Sequence, residues 1–183
     1  SFPTRRSSDL RIPIFSMSIG TSICSFTGQM LAMLSLPFFL QETLKRSDVT
    51  TGLLLTPWPI ATMIIAPLAG RLVERIHAGI LGSIGMTIFA IGLFLLAVLP
   101  SNPTNMDIIW RLFICGSGFG LFQTPNNSTI ISSAPSNRSG GASGMLGTAR
   151  LLGQTLGATQ VAMIFYLVPI NSSQTCLYSA TGF

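Results

Sequence analysis

The sequence predicts an all-α membrane protein, a bundle of five complete helical spans followed by the first turns of a sixth. Two uncharged stretches, Gly52–Ala69 and Ile80–Pro100, carry this expectation, together with the charged segment Gly70-Arg71-Leu72-Val73-Glu74-Arg75 between them. Each stretch is about as long as the roughly 20 helical residues needed to cross about 30 Å of hydrocarbon. Charge inside that layer costs about 3 kcal/mol or more, so the charged segment is expected as a short glycine-led turn at one membrane face. Composition agrees. Only 8% of the 183 residues are charged, 48% are hydrophobic and the mean hydropathy is +0.61, whereas a soluble domain has about 25% charged residues.

Taken in order, the spans are expected at about Ile12–Leu36, Thr51–Ala69, Ile80–Leu99, Ile108–Ser132 and Gly141–Val168. A polar stretch, Asn171–Thr175, follows Pro169, and Cys176–Phe183 reads as the truncated start of the sixth. The first ten residues, Ser1-Phe2-Pro3-Thr4-Arg5-Arg6-Ser7-Ser8-Asp9-Leu10, resemble the in-frame translation of a sequencing-adapter oligonucleotide. They are set apart from the fold on that ground, which places the bundle at residues 11–183 and leaves its natural N-terminal side missing.

Charge and chemistry exclude several classes. The net charge of +5 is scattered, so nucleic acid is not an expected partner. Cys24, Cys115 and Cys176 have no paired spacing, and His77 is the single histidine. Neither a disulfide framework, a metal centre, a cofactor site nor a catalytic triad can be assembled from them, and no enzyme is expected. His77 itself reads as a solvated loop residue.

Loop charges orient the bundle. Arg11, Arg71, Arg75 and Arg138 lie on one side, and Lys45, Arg46 and Arg111 on the other. The excess favours the Arg71/Arg75 side as cytoplasmic.

Within the spans, prolines and glycines predict bent, closely packed helices. Pro57 and Pro59 interrupt the second span and Pro125 the fourth, each removing a backbone donor. In the fifth, Gly140/Gly144 and Gly153/Gly157 make two small-xxx-small pairs, which let helices approach where packing drives association. Trp110 reads as an interfacial anchor, and Trp58 as either an anchor or an aromatic cavity wall.

The polar residues inside the spans are the candidate site. Arg150 lies about ten residues, or roughly 15 Å, into the fifth span. It shares a face with Gly147, Gln154 and Gly157. It either faces a cavity or snorkels to the interface. Ser22, Ser25 and Gln29 share a face of the first span, and Gln123, Asn126 and Asn127 one of the fourth. Such residues serve as interhelical glue or line a pathway, and three polar faces in one short chain favour a shared aqueous cavity.

Gly70, Glu74 and Arg75 resemble the second-half copy of the signature loop of the major facilitator superfamily, with a glycine, an acid four residues on and an arginine directly after. His77, Ala78 and Gly79 depart from it, standing where the family prefers a glycine and two basic residues. The stretches Gly118–Asn127 and Ser139–Arg150 are similar to the late spans of that family's fourteen-span drug:proton antiporter branch. The resemblance covers about Arg11 to the C-terminus. It implies the C-terminal six-helix half of a major facilitator bundle, beginning at the ninth span and stopping within the fourteenth.

The function so implied is proton-coupled export of amphipathic or cationic compounds by alternating access, in a bacterial inner membrane. A small-molecule substrate, protons, the lipid bilayer and the missing N-terminal half would be its partners. Gln29, Gln123, Asn126, Asn127, Arg150 and Gln154 would line the cavity. Gly70, Arg71, Glu74 and Arg75 would form a cytoplasmic gate. Transport of a defined metabolite or anion, which Arg150 would suit, and a non-transporting scaffold or receptor are the rival readings. Glu42, Asp48, Glu74 and Asp107 all lie in or beside loops, so proton coupling rests on the resemblance alone.

Genomic sequence at the locus is expected to lack codons for Ser1–Leu10 directly upstream of Arg11. Finding that decapeptide encoded there would return it to the natural protein.

Overall fold

Six helices make up a computed structural model that describes residues 5–100, 103–133, 139–167 and 179–181, with side chains from Ser16 onward except at residues 43, 133 and 139. They are α1 (Arg5–Phe38), α2 (Asp48–Leu55), α3 (Pro57–Val73), α4 (Ala78–Ala97), α5 (Asn105–Ser133) and α6 (Ser139–Leu167). No strand occurs among the described residues. Arg138, Asn171–Thr175 and most of the sixth apolar segment lie outside them. Residues 179–181 are helical.

By length and apolarity, Ser16–Glu42, Asp48–Val73 and Ala78–Ala97 can each cross a bilayer. Helices α5 and α6, 29 residues each, are also long enough. They are less apolar because they carry Gln123, Asn126, Asn127, Arg150 and Gln154.

Local chemistry sets the helix ends. Helix α1 starts upstream of Ile12, at Arg5, and helicity there is indifferent to the origin of those residues. Pro37 removes a donor from its last turn. The chain then widens into a π turn over Phe39–Thr43, and Lys45, at φ 50°, reverses it in the left-handed region. Ser47 caps α2, its hydroxyl accepting from Thr50 N at 3.3 Å. Pro57, at the first position of α3, breaks the second span at Thr56.

The expected turn at Gly70–Arg75 is largely helix. Helix α3 runs through Val73, and only Glu74, Arg75 and Ile76 form the turn. Arg71 does not stop the helix because a cation in the last turn meets the negative end of the helix dipole. His77 then caps α4, with Nδ1 accepting from Gly79 N at 3.3 Å.

At the opposite end, Asp107 and Thr104 cap α5 reciprocally, Thr104 N donating to Asp107 Oδ2 at 3.0 Å. The two Thr104 hydrogen bonds hold the Asp107 carboxyl below its usual range. The cap is thus intact above the ordinary carboxylate pKa and weakens as pH falls through the lowered one. The Arg111 guanidinium donates to Leu95 O and Val98 O, satisfying carbonyls that the end of α4 leaves open. It also lies 5.1 Å from the Trp110 ring centroid, and Trp110 is exposed.

Close contacts define the up-and-down topology. Gly85 meets Phe122 and Gly92 meets Cys115, so α4 and α5 are antiparallel. Trp58 meets Gly116 and Thr62 meets Gly120, so α3 and α5 run parallel. Ile23 meets Gly153 and Thr27 meets Gly157, so α1 and α6 also run parallel. Helix α5 touches α1, α3, α4 and α6.

Where these helices meet, Phe26, Trp58, Phe89 and Phe119 form a buried aromatic cluster with ring centroids 5.5–6.4 Å apart. Trp58 is 2% exposed. It is neither an interfacial anchor nor a cavity wall in this chain, because its ring packs into the core against Phe89 and Phe119.

Of the two small-residue pairs expected in the fifth span, one is used. A Cβ on Gly153 would stand 2.6 Å from Ile23 O, and one on Gly157 would stand 2.7 Å from Thr27 O. Gly140 and Gly144 have nothing within 4 Å among the described residues. In the full-length protein, Gly153→Ala is expected to cost about 1–3 kcal/mol of stability through overpacking, and Gly144→Ala is expected to be neutral. Equal effects in an unfolding titration would mean that α1 and α6 do not pack at this glycine.

Candidate functional site

The polar face of α1 meets both neighbouring helices over two turns. Ser22 is buried, and its hydroxyl donates to Ser18 O at 2.9 Å. Asn126 Nδ2 of α5 donates in turn to Ser22 Oγ at 2.6 Å and lies 3.4 Å from Ser18 O. Pro125 helps to aim it, since a proline here leaves Leu121 O without its helical donor and bends α5 beside Asn126.

One turn along α1, Phe26 packs edge-on to Phe119 of α5 at 5.6 Å. On its other side the Arg150 guanidinium of α6 lies over the Phe26 ring, 5.6 Å from the centroid. The Thr27 hydroxyl reaches Ile23 O at 2.8 Å and Gly153 O at 3.1 Å, adding a polar tie between α1 and α6. Ser25, on the expected polar face, is buried and donates to Ser22 O of its own helix at 2.9 Å.

The six expected cavity residues thus divide. Asn126 and Arg150 both engage α1, through Ser22 and Phe26, on consecutive turns. Gln29, Gln123, Asn127 and Gln154 are half-buried on α1, α5 and α6. Among the described residues no hydrogen bond joins them to other members of the set. Arg150 is exposed, about 17 Å from the start of α6 at 1.5 Å per residue.

In the signature segment, Gly70 and Arg71 are exposed on the last turn of α3, and Glu74 and Arg75 are exposed beyond it. Beside this turn, a cleft of about 570 Å³ opens between the ends of α1, α4 and α5. Met17, Thr21, His77, Met86 and Asn126 are among its lining residues.

Two residues of this region escape sequence reasoning. His77 is exposed, as a loop residue would be, but it also caps α4 and lines the cleft. Its position directly before the apolar run of α4 is the signal that could have found it. Phe26 carries Arg150, and its signal is an aromatic ring one turn from Ser22 on a polar helix face.

The sequence profile of the Major Facilitator Superfamily matches residues 4–158. The chain belongs to the major facilitator superfamily. Among its relatives is the protein named "Uncharacterized transporter YebQ" of Escherichia coli (strain K12), 63% identical over 93% of this chain and 37% of the relative. The "Multidrug resistance protein Stp" of Mycobacterium tuberculosis is 32% identical over 78% of this chain and 26% of its own length. The "Riboflavin transporter RibZ" of Clostridioides difficile is 30% identical over 84% and 35%. The chain thus spans about a third of the length of these relatives. As a major facilitator protein it is an integral membrane bundle of a family of small-molecule transporters.

The Ser22–Asn126 bond is testable by a double-mutant cycle in the full-length protein. Ser22→Ala and Asn126→Ala are expected to couple by about 0.6 kcal/mol, the mean for such interhelical bonds. Additive effects on unfolding would mean that the two side chains do not meet.

Proposed function

We propose that this chain is the C-terminal half of a fourteen-span secondary transporter that exports drugs or other amphipathic compounds from bacterial cells in exchange for protons. The observation carrying this reading is the seam of α1 with α5 and α6, where Asn126 and the exposed Arg150 engage consecutive turns of α1. Ionisable groups at such depth mark a water-filled pathway by default. The name of the Mycobacterium tuberculosis relative supports the multidrug substrate class.

In this reading the substrate site lies near the midplane, between this half and the missing N-terminal half, and the halves rock about it. Gln29, Gln123, Asn126, Asn127, Arg150 and Gln154 line this half's side of the cavity. Gly70, Arg71, Glu74 and Arg75 lie at the cytoplasmic face, where the end of α3 and the following turn gate the pathway. Glu42, Asp48, Glu74 and Asp107 are at or beyond helix ends, so the proton carrier is assigned to the N-terminal half.

Transport of one defined metabolite is the second reading, favoured by the relative named as a riboflavin transporter.

The full-length protein, expressed in cells stripped of other pumps, is expected to lower accumulation of a fluorescent amphipathic dye. A protonophore is expected to abolish that effect. Arg150→Leu is expected to abolish export at normal membrane insertion, and Arg150→Lys to restore part of it, since charge returns without the planar fork. Unchanged dye accumulation, with uptake or release of labelled riboflavin instead, would replace the drug reading by the metabolite one. Normal export by Arg150→Leu would remove Arg150 from the pathway.

A further inference from the structure

We propose that Arg150, carried on the face of Phe26, makes this half of the cavity selective for substrates bearing an anionic or strongly hydrogen-bond-accepting group. This rests on the reading that the α1–α6 seam faces the substrate, and it narrows the substrate class within that reading.

The guanidinium's recorded partner is the Phe26 ring at 5.6 Å, and the Arg150 side chain is exposed on α6. A ring attracts the cation through its quadrupole and accepts none of its directional hydrogen bonds. An arginine held in this way keeps its N–H fork free for an acceptor, which a bidentate ion pair would occupy.

The surroundings reinforce the sign. The elements packed around Phe26 and Arg150 are α1, α3, α4, α5 and the rest of α6. Among their described side chains, carboxylates occur only at the helix ends, as Asp107 near the start of α5 and Glu74 after α3. At mid-depth this half therefore presents one fixed positive charge and amides at Gln154, Gln123 and Gln29, with the aromatic rings buried behind them.

Such a surface repels a permanent cation and attracts a carboxylate or a conjugated carbonyl. Phe26 acts as a positioning residue. It is 4% exposed and wedged against Phe119, so the platform under the guanidinium is fixed while the fork remains outside it.

Two xanthene dyes of the same ring skeleton separate the charges. Carboxyfluorescein carries carboxylates, and rhodamine 6G carries a delocalised cation. Equilibrium binding of each to the purified full-length protein, read by fluorescence anisotropy, tests the inference without requiring transport.

The wild type is expected to bind carboxyfluorescein more tightly than rhodamine 6G. Arg150→Gln is expected to weaken carboxyfluorescein about tenfold or more, the scale of a hydrogen bond to a charged group, and to leave rhodamine 6G unchanged or tighter. Arg150→Lys is expected to fall between, and Phe26→Leu to weaken carboxyfluorescein about threefold by loosening the platform. If Arg150→Gln cannot be purified as a monodisperse protein, the Arg150→Lys and Phe26→Leu shifts decide.

Equal weakening of both dyes would make Arg150 a packing or ion-pairing residue and overturn the proposal, as would no change in either. Selective binding of carboxyfluorescein without dye export in cells would uphold this inference and remove the drug-export reading. Export that is insensitive to substrate charge would do the reverse.

Discussion

Four aromatic rings hold the centre of this bundle, and the arrangement of its helices depends on them. Phe26, Trp58, Phe89 and Phe119 come from α1, α3, α4 and α5, and Arg150 of α6 lies over the outermost ring. All the long helices therefore meet at one cluster. In lipid, apolar side chains gain little by leaving one hydrocarbon environment for another, so helices associate through shape and contact. Ring pairs contribute about 0.5–1.5 kcal/mol each beyond their area, and they demand particular approach angles. Small residues supply those angles. Gly116 gives Trp58 its place against α5, and Gly118 lets α4 come close enough for Phe89 to meet Phe119. Trp58 Nε1 is buried without a hydrogen-bond partner among the described residues, a cost of about 1–3 kcal/mol that the packing of this ring has to offset.

Much of this architecture is legible in the sequence, and the gaps have identifiable causes. Uncharged stretches announce the spans because a membrane penalises charge heavily and uniformly. Boundaries read less well, because helix ends answer to local caps and dipoles. Arg71 looks like the start of a turn, yet it favours the last turn of α3, and the helix continues to Val73. Glycine spacing finds a surface able to pack but cannot say which of two such surfaces has a partner. Gly153 and Gly157 meet α1, whereas Gly140 and Gly144 do not. Trp58 misleads because tryptophan between prolines near a span end has the composition of an interfacial anchor. Its burial depends on Phe89 and Phe119, which are distant in sequence.

The candidate site shows the same division. Arg150 and Asn126 stand out because a polar residue in an apolar run is costly and visible. Their nearest partners, Phe26 and Ser22, are ordinary residues in a long helix, and only the pairing of α1 with α5 and α6 gives them meaning. Polar groups of α5 and α6 meet α1 on two consecutive turns, at Ser22 and Phe26. Gln29, Gln123, Asn127 and Gln154 enter this seam only as half-buried neighbours, since their spacing specifies a helical face without specifying what the face meets.

Packing divides the bundle unevenly. Helices α3, α4 and α5 approach backbone to backbone at Gly85, Gly92, Gly116 and Gly118, and α1 and α6 do so at Gly153 and Gly157. Sliding either set apart internally would open close-packed backbone. Between the two sets, ties from α1 to α5 include the Asn126 hydrogen bonds to Ser22 and Ser18 O and the Phe26–Phe119 edge contact. These are worth about 0.6 kcal/mol and about 0.5–1.5 kcal/mol. The α1–α5 seam, where the polar side chains gather, is therefore joined through side chains, whereas each set is joined backbone to backbone.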